Sequence, residues 1–247
     1  MLYSRMIIAL KGLLLKAGMT IRPDSFMLMA LENGIVMSEP RILPNFIVLE
    51  GLDGSGTTTQ MRLLERRLNE LSLPHACTSE PTGGPIGTLL RDILKSKISV
   101  QAKTVALLFA ADRREHLEAP QEGMLSRLER GELVICDRYL FSSLAYQGPA
   151  CGFQFVRRLN AEFPLPQHLV FLDTPIPVSQ QRIRGRERLE LYDGSALQPA
   201  ILSAYRRAFA LFSCAGMQVH WLNGSRSPEE IFKDLWTIFL ALPMLKG

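Results

Sequence analysis

Apolar residues fall along this chain in two rhythms. Phe46 to Leu49, "ELVICDRY" and "HLVFLD" are short, nearly unbroken apolar runs with many β-branched residues, the pattern of strands buried on both faces. Elsewhere the apolar positions recur three and four apart. Met61, Leu64, Leu68 and Leu71 do so, with Arg62, Glu65, Arg66 and Glu70 between them, which predicts a helix with one buried stripe. The same criteria predict short strands at Ala76 to Thr78 and "QVHWLN". They predict helices around Ile86 to Lys95, Ala102 to Glu118, Gly123 to Arg130, Ser142 to Tyr146, Phe153 to Glu162, Val178 to Arg188, Leu197 to Phe212 and from Pro228. Five strands alternating with helices imply an α/β fold, a parallel five-stranded sheet covered on both faces. Ligands of such sheets sit beyond the carboxyl ends of the strands. The distinctive stretches follow strands: a glycine loop after Glu50, "TSEPTGGPIG" after Ala76, and Asp137-Arg138 after Cys136.

The chain has 247 residues, 47% of them hydrophobic, enough for one sizeable α/β domain. A net charge of +4 without a block of like charges excludes a nucleic-acid-binding arm and suits a small phosphorylated ligand. Cys77, Cys136, Cys151 and Cys214 form no CxxC pair, so neither a zinc site nor a disulfide scaffold is expected, and a cytoplasmic location is. The first 44 residues read differently. Four basic residues precede the first acid, Asp24, in the manner of a targeting segment or an amphipathic surface helix. Lys11 and Lys16 break the apolar run, so no membrane anchor is expected. The expectation is an extension outside the fold, with Met37 a sufficient beginning, Pro40 and Pro44 marking a linker, and the domain occupying residues 45 to 247.

"GLDGSGTTTQ" fits a phosphate-loop template, Gly-x4-Gly-Lys-Ser/Thr, at Gly51, Gly56 and Thr58, whereas Thr57 stands at the lysine position. Glycines there turn backbone N–H groups towards a phosphate at the helix N-terminus. Taken alone, the match leaves an ordinary strand-turn-helix corner open.

Four stretches in order, "FIVLEGLDGSGTTTQ", "SEPTGGPIGTLLRDIL", "LLFAADRREHLE" and "CDRYLFSSLAYQG", resemble the thymidylate kinases from about Asn45 to the C-terminus. The resemblance implies a phosphate-loop nucleoside monophosphate kinase fold, transfer of the γ-phosphoryl group of ATP to dTMP with Mg²⁺, a homodimer, and no nucleic-acid or membrane partner. It implies that Gly51, Gly54, Ser55, Gly56, Thr57, Thr58 and Thr59 cradle ATP, with Arg182 and Asn223 (beside Gly224) nearby. Phe109 and Arg113, four apart on one helix face, would stack on thymine and bind its O4. Ser143 and Gln147 would line the base pocket, and Tyr139 and Tyr146 would flank it. Asp53 would accept from the 3′-hydroxyl, Arg138 would hold the monophosphate, and Arg91 would be a second substrate-side arginine. Asp137 and Thr58 would hold Mg²⁺.

"QQRIRGRERLELYDG" resembles the family's lid, about residues 182 to 194. It packs Arg182, Arg184, Arg186 and Arg188 together, and these would repel one another unless an anion gathered some of them. Gly54 stands where one type of member has a catalytic arginine, so the resemblance implies a catalytic lid arginine, Arg184 or Arg186. Thr57 supplies no charge, and the lid, Lys95, Lys97 or Lys103 are the candidate substitutes. Ser79 departs from the arginine that many members carry before Glu-Pro. Three readings follow: an active dTMP kinase with relocated charge, a nucleotide-binding protein without transfer activity, or a kinase for another nucleoside monophosphate, which the thymine-pocket residues disfavour.

Overall fold

The computed structural model describes residues 40–184, 190–192, 194, 196–212 and 215–242. Its strands are β1 (Ile42–Gly51), β2 (His75–Ser79), β3 (Leu133–Asp137), β4 (Leu165–Asp173) and β5 (Gln218–Asn223). They pair in the order β2-β3-β1-β4-β5, every pairing parallel. The helices are α1 (Thr57–Glu70), α2 (Pro85–Leu94), α3 (Ala102–Glu118), α4 (Met124–Glu129), α5 (Leu140–Tyr146), α6 (Gly148–Cys151), α7 (Phe153–Leu159), α8 (Ile176–Ile183), α9 (Gln198–Phe212) and α10 (Pro228–Leu240). From Arg41 onward the chain is one compact unit.

Alternation along β1 divides the core in two. Phe46 and Val48 join one cluster, which takes in Tyr139, Phe141 and Leu144 around α5 and Tyr205 and Phe209 from α9. Ile47 and Leu49 join the other, with Met61, Leu64 and Leu68 of α1 and Ile231, Leu235 and Phe239 of α10. All four β1 side chains are fully buried, each worth about 1.5–3 kcal/mol relative to exposure. Because the central strand is covered on both sides, only its carboxyl end is left for chemistry.

Several expectations change. β1 begins at Ile42, so residues 42 to 44 belong to the first strand and not to a linker. Pro44 hid this, since proline reads as a strand breaker. The pairing with β4 shifts register between Leu43 and Ile47, and this irregularity absorbs Pro44 and Asn45. Asn45 has φ 58°, and its N–H donates to Gln167 Oε1 at 2.9 Å. Leu71, read as part of the α1 stripe, follows the end of that helix and is 41% exposed. The helix expected over Phe153 to Glu162 ends at Leu159, and α6 precedes it. Of the helix expected over Val178 to Arg188, α8 covers the part to Ile183, and Arg186 and Arg188 lie outside the described residues, as does Cys214. Cys77, Cys136 and Cys151 are free thiols. Among the described residues no helix is long and apolar enough to cross a membrane.

Candidate active site

The glycine loop joins β1 to α1, at the carboxyl end of the central strand. Gly56 stands before α1 with φ 104°, a left-handed conformation that glycine adopts freely. Gly54 has φ +81°, and a Cβ there would lie 2.5 Å from the Ser179 carbonyl oxygen and 2.9 Å from Ile183 Cγ2. Helix α8 therefore packs onto the loop too closely for a side chain at position 54 without a shift of that helix. Thr57 is the first residue of α1 and is buried.

The loop's cationic neighbour comes from α8. Arg182 Nη1 donates to the carbonyl oxygens of Gly224 at 3.0 Å, Ser55 at 3.2 Å and Gly54 at 3.4 Å. It thus ties the loop to the turn after β5. In that turn the exposed Asn223 uses its Oδ1 to accept from the N–H and hydroxyl of Ser225. Arg184 caps the end of α8 and is exposed. Two of the lysines considered as substitutes are engaged elsewhere: Lys97 pairs with Asp92 at 2.8 Å and Lys103 lies over the Phe155 ring; Lys95 caps the end of α2.

Thr58 Oγ1 donates to Asp137 Oδ2 at 3.0 Å, so the loop and the end of β3 meet through the two residues proposed to hold a metal. Asp137 Oδ1 is buried and has no partner among the described residues. An orphaned carboxylate oxygen is costly unless something binds it, and a hard oxygen ligand beside a threonine hydroxyl fits Mg²⁺.

Arg138 follows at φ 73°, a strained conformation for a residue with a side chain. Its N–H donates to Leu49 O at 2.9 Å. Nη2 pairs with Asp53 Oδ1 at 2.7 Å, and Nη1 reaches Gly51 O and Ser142 Oγ, both at 3.2 Å, Tyr146 OH at 3.3 Å and Tyr205 OH at 3.4 Å. Asp53, expected to meet a hydroxyl of the substrate, is thus the ionic partner of Arg138.

A cleft opens from this point, lined by Asp53, Phe109, Arg113, Arg138, Ser143 and Gln147. Arg113 is 1% exposed. Its Nε and Nη2 both donate to Glu80 Oε2, at 3.0 and 2.6 Å, Nη2 also donates to Ser143 Oγ at 3.1 Å, and Nη1 donates to Asn160 Oδ1. Gln147 Nε2 donates to Tyr192 OH at 3.4 Å, while its Oε1 is buried with no partner among the described residues. Phe109 packs against the small cluster of Leu90, Ile93 and Val105 between α2 and α3.

Arg91 is not brought to this cleft. It donates to the carbonyl oxygens of Thr82 and Pro81, the latter at 2.6 Å, and so holds the loop that carries Glu80. Sequence reasoning also missed Glu50. This buried residue accepts from the N–H groups of Tyr139 (2.9 Å) and Ser142 (3.1 Å) on Oε1, and from the hydroxyls of Ser142 (2.6 Å) and Tyr205 (2.9 Å) on Oε2. The signal was a carboxylate ending an apolar run. Glu80, Asn160 and Tyr205 were missed because their partners are distant in sequence.

A parallel sheet in this order, with the glycine loop on its central strand, is the phosphate-loop arrangement, and a cleft beside that loop lined by two arginines, Arg113 and Arg138, makes the class that of the nucleoside monophosphate kinases. The profile described as Thymidylate kinase matches residues 49–235. A Treponema pallidum (strain Nichols) protein with a provisional thymidylate kinase name is 47% identical over 169 residues, which is 68% of this chain and 80% of that one. A thymidylate kinase of Carboxydothermus hydrogenoformans is 33% identical over 208 residues, 82% of this chain and 98% of that one. The solved thymidylate kinase of Candida albicans superposes with a TM-score of 0.65 at 22% identity, covering 79% of this chain and 91% of that one. The chain belongs to the thymidylate kinase family.

Proposed function

We propose that the chain phosphorylates dTMP to dTDP at the expense of ATP. The observation that carries the choice of base is Gln147, whose buried Oε1 lacks a partner among the described residues in a cleft it shares with Phe109 and Arg113. That acceptor needs an N–H donor, and Arg113 offers only donors. A thymine edge, with an N–H beside a carbonyl, supplies the complement of both. Cytosine presents a ring acceptor and an amine there, leaving buried groups mismatched, which discriminates strongly.

In this reading Phe109 stacks on the base, Ser143 keeps Arg113 in place, and Asp53 and Arg138 take the sugar and phosphate. The Arg138 contact with Gly51 O puts the acceptor's phosphate group next to the loop that cradles ATP. Such positioning is most of what a phosphoryl-transfer protein contributes. Thr58 and Asp137 would hold Mg²⁺, which when bound offsets negative charge on the phosphates. The loop, from Gly51 and Gly54 through Ser55, Gly56, Thr57, Thr58 and Thr59, presents backbone N–H groups, and Arg182 and Asn223 border the ATP side. Thr57 stands where the loop lysine would be, and the lid arginines Arg184 and Arg186 supply the missing charge. In the same reading the protein is a cytoplasmic homodimer, for which the exposed Leu89 of α2 and Leu107 of α3 are candidate contacts, and sedimentation equilibrium tests it.

A coupled assay with Mg²⁺, ATP and dTMP, with dUMP and dCMP as competitors, tests the whole reading. Turnover with dTMP, weakly inhibited by dCMP, is expected. Binding of dTMP without turnover would put a nucleotide-binding module in its place, and preference for dCMP would overturn the base assignment.

A further inference from the structure

Glu50 ends β1 with its side chain fully buried, and its four hydrogen bonds all lead to the segment that starts with Arg138 or to Tyr205 of α9. The two hydroxyls that reach its Oε2, those of Ser142 and Tyr205, are 2.8 Å apart and are also the ones that Arg138 Nη1 approaches. A guanidinium only donates, and each hydroxyl has one hydrogen. The lone pairs of Ser142 Oγ and Tyr205 OH therefore face Arg138, and the Glu50 carboxylate is the nearest acceptor outside the pair for both hydrogens, Gly51 O lying farther from Tyr205 OH at 3.3 Å. A carboxylate accepts both. A protonated carboxyl would instead donate to one of the two hydroxyls, whose own hydrogen must then leave Glu50 for the other hydroxyl or Gly51 O, and the acceptors in front of Arg138 are rearranged.

We propose that Glu50 is a positioning residue, whose carboxylate, acting through the hydroxyls of Ser142 and Tyr205, sets the guanidinium of Arg138 in place for the phosphate of the acceptor nucleotide. This rests on the reading that Arg138 holds the phosphate of dTMP. Its dependence on pH follows from the surroundings. Cys136 of β3, Arg138 just after it, Tyr139 and Ser142 from the segment into α5 and Tyr205 from α9 face Glu50, which pairs with Phe171 of β4, while Tyr146 and Asp53 lie against Arg138. Burial pushes the Glu50 carboxyl up to about 7, although Arg138 and its hydrogen bonds pull the other way. Burial also pushes up the Cys136 thiol and the Tyr139, Tyr146 and Tyr205 phenols. Of the groups so shifted, Glu50 is the one that changes charge near neutrality. The carboxylate form that Arg138 needs fills as the pH rises through about 7.

Glu50→Gln keeps the shape but replaces the acceptor with an amide N–H₂. Binding of dTMP and of thymidine, which has no phosphate, to wild type and variant by calorimetry from pH 6 to pH 8.5 tests the proposal. At high pH the variant should lose about tenfold or more in dTMP affinity, the scale of a disturbed charge-assisted contact, with thymidine affinity nearly unchanged. The gap for dTMP should close towards low pH, where wild type also carries a neutral group. The second ionisation of the phosphate itself, near pH 6, affects both proteins alike and cancels in the ratio. An unchanged dTMP affinity, an equal loss for thymidine, or a ratio independent of pH would overturn the proposal.

A measurement on unliganded wild type separates this from the functional reading and needs no stable variant. By NMR, the Glu50 carboxyl carbon and the Arg138 Nε–H should titrate with one midpoint near neutrality, and Arg138 signals indifferent to Glu50 would overturn the proposal. Absence of dTMP binding by wild type would instead overturn the reading of Arg138 as a phosphate ligand.

Discussion

Arg113 shows how one residue can serve both the fold and the site. A helix arginine most often lies on a solvated face, yet this one is buried and ionically paired with Glu80, over the rings of Tyr139 and Phe163. Removing one partner of such a pair leaves the other charged in a dry place, at about 3–5 kcal/mol. Arg113→Ala is therefore expected to lower stability by that order in urea denaturation, besides weakening dTMP binding. A stability loss below about 1 kcal/mol, the range of exposed pairs, would show that Glu80 finds water or another partner. The phosphate loop gives the second expectation. Thr57 cannot supply positive charge, so Arg184→Ala or Arg186→Ala should lower turnover by about a hundredfold, the scale of one lost preorganised donor, with dTMP affinity little changed. Thr57→Ala should lower it less. If both lid variants turn over like wild type, Arg182, already bonded to the loop, becomes the candidate.

Elements matter here chiefly through their close approaches. Helix α8 touches the loop at Gly54, and its Arg182 bonds the loop's carbonyl oxygens, so the strand-loop-helix unit and the helix before the lid form one assembly. A methyl group at position 54 meets backbone at 2.5 Å in a left-handed conformation, and both faults push α8 away from the loop. Gly54→Ala should accordingly weaken ATP binding much more than thymidine binding, measured by calorimetry on the two ligands. Equal affinities for ATP in variant and wild type would show that α8 yields without disturbing the loop. Helices α2 and α3 pack through Leu90, Ile93 and Val105, with Phe109 against them, and this contact holds the helix that carries Phe109 and Arg113.

For the molecule as a whole, the sheet is already complete with the strand that starts at Ile42, which pairs with Leu165, and the family match begins at residue 49. We expect a chain started at Met37 to fold and to bind dTMP as the full chain does. Thermal melting and calorimetry on the two chains decide this, and insolubility or lost binding would make the preceding residues part of the folded unit. The raised Glu50 carboxyl has a molecular consequence too. Its folded-state value lies above the ordinary 4.5, so the native state binds a proton that the unfolded chain has released, and stability falls as pH rises from about 4.5 to about 7. Glu50→Gln removes this slope, and the difference between the two proteins in unfolding free energy against pH measures it.

Patterning alone carried the sheet. Runs such as Val134 to Cys136 and Leu169 to Leu172 bury on both sides only in a covered parallel sheet, and the glycine loop, Asp137-Arg138, Phe109 and Arg113 could be singled out because each is a local motif of spacing and residue type. What the sequence could not settle was pairing between distant segments. Whether Arg91 faces a substrate or the Pro81 and Thr82 carbonyls, whether Asp53 meets a hydroxyl or Arg138, and whether Glu50 is a bystander or the acceptor behind Arg138 all depend on groups 9, 85 and 92 positions apart. Periodicity reports which face of an element is apolar. Hydrogen-bond partners are chosen by the three-dimensional packing of the elements, and only there do the directions of donors and acceptors become fixed.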